Sequence, residues 1–240
     1  MILTRTIGGK PARVAALDWP QLVRDLDAHG CAVAKSLLTP EECRALAARF
    51  GEDAPFRRQI DMAAHGYGQG HYKYWAYPLP EEVAALRTAL YPPLAELANR
   101  WNARLKLEGN FPATHEAYLQ RCHAANQTQP TPLLLQYREG DFNCLHQDVY
   151  GELLFPLQAA FLLSQPGTDF TGGEFVLTEE SPGGQSRAEV VSLQQGDAVI
   201  FAVRQRPGSR EGEAIHLRHG VSRIRSGERH TLGIIFHDAK

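Results

Sequence analysis

His146-Gln147-Asp148, and far downstream His219-Gly220-Val221 followed by Arg229-His230-Thr231, organise the reading of this 240-residue chain. In an extended segment alternate side chains face the same way, so His146 and Asp148 are expected to enter one cavity together. Two imidazoles and one carboxylate leave half of an octahedral metal shell open, which suits a catalytic ion rather than a structural one. A His-x-Asp triplet is weak on its own among ten histidines, and the downstream context strengthens it. His216 competes with His219, but at three residues' remove on a strand it faces the other way, and Gly220-Val221 favours His219. Arg229 and Thr231 are two apart and share a face of the last apolar strand. There the guanidinium can grip a carboxylate through two parallel hydrogen bonds, and the hydroxyl can add another. Arg218, Arg223 and Arg225 are its rivals and read as solvated charge.

Outward from these residues the chain divides by character. Beyond Gln127-Thr128-Gln129-Pro130-Thr131-Pro132, short β-type runs alternate with Gly and Pro turns. They are Leu133 to Arg138, Gln158 to Leu163, Glu174 to Leu177, Ala188 to Leu193, Ala198 to Val203 and Thr231 to His237. Many short strands with turns between them predict a closed sheet, sandwich or jelly roll.

The N-terminal half reads as mainly helical. Asp18-Trp19-Pro20 opens a helix that stops at Gly30, and Cys31 to Ala34 is a short strand. Thr39-Pro40-Glu41-Glu42 carries a capping box. Glu81 to Leu90 and Pro93 to Leu105 read as two helices broken at Tyr91-Pro92-Pro93, and Thr114 to Ala125 as another. The expectation is a single domain of the α+β class, with residues 1–126 mainly helical and packed on a β-core formed by residues 127–240.

Composition excludes several classes. Apolar content of 43% and charged content of 22% fit a globular chain, and a net charge of −2 offers no global attraction to nucleic acid or membrane. No run approaches the ~18 apolar residues of a membrane-spanning helix. Met1 to Ala16 carries Arg5, Lys10 and Arg13 without an apolar segment, so no secretory signal is expected. Cys31, Cys43, Cys122 and Cys144 show no metal or disulfide spacing and read as reduced thiols of a cytoplasmic protein, Cys144 as a structural, buried or partly buried one.

Taken together, these motifs resemble the Fe(II)/2-oxoglutarate-dependent dioxygenases, whose pattern is His-x-Asp, a distal His, and an Arg or Lys about ten residues later. Tyr137, nine residues before His146, matches a tyrosine that reaches the cosubstrate in the prolyl-hydroxylase-like branch. Thr171-Gly172-Gly173-Glu174-Phe175 and Gln195-Gly196-Asp197-Ala198-Val199-Ile200-Phe201 resemble turns of that core. The resemblance covers roughly Leu133 to His237 and implies a double-stranded β-helix (jelly-roll) core. The whole chain also resembles a bacterial oxygenase family named for action on damaged DNA. The resemblance implies His146, Asp148 and His219 as iron ligands and Arg229, Thr231 and Tyr137 as cosubstrate contacts. It implies hydroxylation of a C–H bond using Fe(II), 2-oxoglutarate and O2, with release of succinate and CO2.

The substrate stays open at this point. Phe56 to Met62 and Tyr67 to Trp75 mix basic and aromatic side chains, which suits bases or single-stranded nucleic acid. The competing reading has Tyr72, Tyr74 and Trp75 packing the helical half on the core. Arg204 to Arg210 reads as a basic loop at the rim, tracking phosphates, contacting an acidic protein, or simply solvated. The substrate classes are therefore a nucleic-acid base with an alkyl lesion, reached by oxidative demethylation, a prolyl or other side chain in a peptide, or a free small molecule. A cupin-like metal-binding protein without turnover is the non-enzymatic alternative, although cupins present His-x-His and a Glu that this chain lacks.

Overall fold

The computed structural model describes residues 9–149, 151–180 and 184–240. Five helices and fourteen strands follow one another along the chain: α1 (Lys10–Ala15), α2 (Trp19–His29), β1 (Cys31–Ala34), α3 (Pro40–Ala48), β2 (Phe56–Asp61), β3 (Gly68–Gln69), β4 (His71–Trp75), α4 (Glu81–Leu105) and α5 (His115–Ala124). The strands continue with β5 (Leu133–Arg138), β6 (Phe142–His146), β7 (Leu157–Leu162), β8 (Phe170–Gly172), β9 (Phe175–Glu180), β10 (Ser186–Val191), β11 (Ala198–Ala202), β12 (Gln205–Pro207), β13 (Ala214–Val221) and β14 (Ile224–Ile234). They form an 8-stranded sheet in the order β1-β11-β7-β14-β5-β4-β2 with β8 on β14, and a 6-stranded sheet in the order β10-β9-β13-β6-β3 with β12 on β13. Every strand pairing within these sheets is antiparallel. The two sheets face one another as a jelly roll: Phe175 of the smaller sheet meets Phe201 of the larger at 5.0 Å between ring centroids.

Local chemistry explains the helix starts. Asp18 accepts a hydrogen bond from the Gln21 amide, and Thr39 with Glu42 forms the expected reciprocal capping box. The expected break at Tyr91-Pro92-Pro93 is absent, and α4 runs through both prolines. Val83, Leu86, Leu90, Leu94, Leu97 and Trp101 are all buried at helical spacing, so one apolar stripe spans the proline pair. That continuous burial offsets the backbone hydrogen bonds the prolines cannot donate.

The N-terminal part also feeds the sheets. β1 closes one edge of the larger sheet on β11, β4 and β2 extend the other edge beyond β5, and β3 joins β6.

A buried ion pair ties α4 to the end of the chain. Arg87 is 1% exposed and Asp238 is fully buried; they meet at 2.8 Å. The rest of the guanidinium donates to the carbonyls of Ile235 and His237 and to the Tyr77 hydroxyl, while Asp238 also accepts from Tyr77 and contacts His123. Removing one partner strands the other charge in the interior, which costs about 3–5 kcal/mol. Asp238→Asn or Arg87→Met should each lower the unfolding free energy by that order in urea titrations, and the double variant should recover part of the loss.

Two buried histidines add a pH dependence. Burial first, and the Arg87 charge second, push His115 and His237 from 6.5 down to about 4. Both are held neutral, with His115 Nε2 on the Phe236 carbonyl and His237 Nδ1 accepting from the Phe155 amide. The unfolded chain takes up protons below pH 6.5 that the folded chain refuses. Their contribution is therefore full above that pH and is lost as pH falls towards 4, on the order of 3 kcal/mol per histidine. Unfolding free energy should drop between pH 7 and pH 4.5, and His115→Gln should shrink that drop; an equal drop in both proteins would contradict the assignment.

Candidate active site

His146 ends β6, Asp148 follows two residues later in the loop, and His219 on β13 lies directly opposite His146 in the strand pairing. The sheet register therefore delivers one imidazole from each of two neighbouring strands to the same spot. Gly220 makes this approach feasible: a Cβ there would stand 2.7 Å from the Asn143 carbonyl oxygen and 3.1 Å from that of Cys144. Pairing between β13 and β6 is irregular at the same step, between His219 and Val221. Asp148 bridges the pair, 3.3 Å from His146 Nε2 through Oδ1 and 3.5 Å from His219 Nε2 through Oδ2. One ligand atom from each residue falls within 4.8 Å of the others, an arrangement that could hold a metal ion.

The surroundings orient these groups. His146 Nδ1 bonds the Cys144 carbonyl at 2.7 Å, which leaves Nε2 free to ligate. The His219 ring stacks on Phe175 and leans on Phe201, with centroids at 5.9 and 4.5 Å. Gln147 Nε2 donates to the carbonyls of Leu217 and Arg204, stapling the Asp148 loop to β13 and the turn before β12. Burial works against the Asp148 charge, yet hydrogen bonds from both histidines hold its carboxyl far below the usual range. Burial depresses His219 more than Asp148 raises it, whereas Asp148 outweighs burial at His146 and lifts it.

Arg229 and Tyr137 are cross-strand partners on β14 and β5, and Thr231 lies two residues along β14. Arg229 is 2% exposed, and its Nη1 donates to Thr231 Oγ1 at 2.6 Å. Among the described residues its Nε has no hydrogen-bond partner, and the Tyr137 hydroxyl has only the Asn143 side chain beside it. Burial pushes the guanidinium down to about 10 and the phenol up to about 12. The Tyr137 and Phe170 rings flank this cation at 5.6 and 5.9 Å, but a guanidinium held by one neutral hydroxyl and two ring faces still has donors to offer an anion. Gly173 gives Arg229 its room: its φ is +66°, and a Cβ would sit 2.9 Å from Arg229 Cδ.

The structure brings all six sequence-derived residues to one cavity of about 100 Å³, lined also by Met62, Tyr67, Tyr72, Tyr74, Asn143 and Gln158. His216 points away, towards a groove on the outside of the smaller sheet. Of the aromatic segment, Trp75 packs as the bland reading expected, stacked on Phe56 at 4.2 Å, while Tyr72 and Tyr74 face the cavity. Cys144 is exposed rather than structural. The Arg204 to Arg210 segment stays off the cavity: β12 takes part of it, and Arg206 is engaged by Glu179 at 2.7 Å. Gln158 escaped the sequence reading, although a lone polar residue in the apolar run Leu157-Gln158-Ala159-Ala160-Phe161 was a usable signal.

Residues 70–239 match the family described as "Oxygenase, catalysing oxidative methylation of damaged DNA". The chain belongs to that oxygenase family. An uncharacterised protein of Mycobacterium tuberculosis, strain CDC 1551 / Oshkosh, is 45% identical over 193 residues, covering 80% of this chain and 78% of the relative. Among solved structures, a prolyl-4-hydroxylase of Pseudomonas putida superposes with a TM-score of 0.55 at 19% identity, over 92% of this chain and 99% of the other. A Trichoplax adhaerens prolyl hydroxylase, solved in complex with a hypoxia inducible factor oxygen degradation domain peptide fragment, superposes with a TM-score of 0.57 at 13% identity, over 95% and 91%. At these identities the two structures share the oxygenase's fold.

The triad geometry makes a direct prediction. Asp148→Ala and His219→Ala should each weaken Mn(II) binding, read by titration calorimetry, by more than the 10–100-fold that loss of an outer partner typically costs. His216→Ala should leave it unchanged; equal weakening in that variant would speak against His219 as the ligand.

Proposed function

We propose that this oxygenase is Fe(II)- and 2-oxoglutarate-dependent and acts on an alkylated base in nucleic acid. The reading rests above all on a buried guanidinium, Arg229, that forms no ion pair among the described residues and lies in the same cavity as the His146, Asp148 and His219 cluster. In it, His146, Asp148 and His219 would hold the ion, two imidazoles and a carboxylate being the donor set of a catalytic Fe(II) site. Arg229 and Thr231 bind the cosubstrate's far carboxylate, and the Tyr137 hydroxyl donates to its oxygens. When bound, Fe(II) with 2-oxoglutarate and O2 supplies the oxidant that hydroxylates a C–H bond as succinate and CO2 are released. The walls contributed by Phe175, Phe201 and Leu135 exclude water and keep the reacting carbon in place.

The nucleic-acid part is supported by the family description and by the tyrosines facing the cavity. The reading includes a cytoplasmic location, supported by four free cysteines. Among the described residues, no helix is long and apolar enough to cross a membrane.

The test is succinate formation. Iron-loaded protein should convert 2-oxoglutarate to succinate, faster with methylated single-stranded DNA than with proline-containing peptides, and chelation of the metal should abolish turnover. Arg229→Ala should raise the dissociation constant for 2-oxoglutarate at least about tenfold, with Arg229→Lys recovering part of it. Stimulation by peptides alone would move the substrate to a prolyl side chain, and failure to bind 2-oxoglutarate would remove the oxygenase chemistry proposed here.

A further inference from the structure

Gln158 is a buried group that metal and cosubstrate leave unused. It lies near the start of β7 with 5% exposure, and among the described residues its Nε2 has no hydrogen-bond partner. It borders both the inner cavity and an outer chamber of about 240 Å³ that shares Tyr67, Tyr72, Tyr74 and Asp148 with it. An unpaired amide so placed is destabilising in the empty pocket and becomes useful when a ligand presents an acceptor.

The outer chamber has a consistent chemistry. Tyr72 and Tyr74 meet edge to face at 5.4 Å, and the Arg57 guanidinium lies over the Tyr74 ring at 4.6 Å. Arg58 lines the mouth and is exposed, without an ion pair among the described residues. The only side-chain carboxylate lining this chamber among the described residues is Asp148, which belongs to the candidate metal cluster. Aromatic faces suit any planar base, an amide donor suits a ring nitrogen or carbonyl on the base edge, and an arginine suits the adjoining phosphate. A prolyl ring offers neither an acceptor on its edge nor a negative charge for the arginines.

We propose that Gln158 reads the hydrogen-bonding edge of a nucleobase held among Tyr67, Tyr72 and Tyr74, while Arg58 at the chamber mouth takes the neighbouring phosphate. The assignment rests on the oxygenase reading of the same cavity. It makes Gln158 a specificity-determining residue: the metal cluster and Arg229 prepare the oxidant, and Gln158 selects what is brought to it. Extrusion of the target base from its stack is required for any such contact.

The experiment uses full-length protein loaded with Mn(II) and 2-oxoglutarate. Fluorescence anisotropy would follow short single strands carrying one 1-methyladenine, the same strand with adenine, and the same strand with an abasic site. Gln158→Leu should weaken binding of the methylated strand about tenfold and leave the abasic strand unchanged. Gln158→Met, which keeps the length and removes the donor without adding a charge, guards against misfolding of the first variant and should do the same. Arg58→Glu should weaken all three strands alike and flatten the salt dependence. The proposal is overturned if both Gln158 variants keep the wild-type preference for a base over an abasic site. It is equally overturned if their loss is matched by lower thermal stability and weaker 2-oxoglutarate binding, or if a proline-containing peptide outcompetes all three strands. Failure of the wild-type protein to bind 2-oxoglutarate with Mn(II) sinks the oxygenase reading itself, and this inference with it, so the two failures are told apart.

Discussion

Facing β-sheets normally close on one another through interdigitating apolar side chains, and a polar group trapped between them must find a partner. Here the gap between the sheets holds Arg229 Nε, the Tyr137 hydroxyl, Asn143 Oδ1, Gln158 Nε2 and His219 Nδ1, all buried; Tyr137 and Asn143 face each other, and among the described residues the other three atoms have no hydrogen-bond partner. Each lines the same cavity. That concentration is the constraint on which the molecule depends. The gap offers the donors of Arg229, Tyr137 and Gln158 to ligands that carry negative charge or acceptors, while Asn143 Oδ1 only accepts. Elsewhere the core is dense: Phe155, Tyr91, Tyr118 and Phe236 pack ring against ring beneath α4 and α5.

The site's precision follows from strands rather than loops. His219, Arg229, Thr231 and Tyr137 all sit inside hydrogen-bonded ladders, so their spacing is set by register and would shift only if whole strands slipped. Asp148 is the exception, carried on the loop after β6. Its position is recovered by Gln147, whose amide is clamped by two backbone carbonyls, and by the two imidazoles that flank it. Cross-strand pairing of Arg229 with Tyr137 also puts the cation 5.6 Å from the centre of that ring, a favourable contact for a guanidinium out of water.

What the sequence made legible was the chemistry that few residue types can perform. His146, Asp148, His219 and Arg229 stand out because their spacing makes sense for a metal and an anion, and the alternating short runs after residue 127 signalled a jelly roll. The hairpin of β2 and β4 was not legible as sheet, because its alternation is blurred: Tyr72 and Tyr74 face a cavity instead of a packed core. The prolines of α4 misled for a related reason. Local propensity ends a helix at Pro92, and only the tertiary burial of Leu94, Leu97 and Trp101 carries it on. Gln158 was visible only as a lone polar residue in an apolar run, and its amide acquires meaning when the atoms around it are known to leave it unpaired.

The hairpin that eluded the sequence reading also stands apart in the sheet from the candidate metal cluster. The family match begins at residue 70, so it takes in β4 with Tyr72 and Tyr74 but leaves out β2 with Arg57 and Arg58. The candidate metal cluster and Arg229 lie on or next to β6, β13 and β14 near the middle of both sheets, where a change of residue disturbs two neighbouring strands at once. β2 is the last strand of the larger sheet and pairs on one side only. An edge strand can exchange its outward side chains with little effect on the ladder behind it. Charge at the chamber mouth is therefore free to vary while the metal cluster stays fixed, and β4 lies between them, its tyrosines belonging to both the inner cavity and the outer chamber.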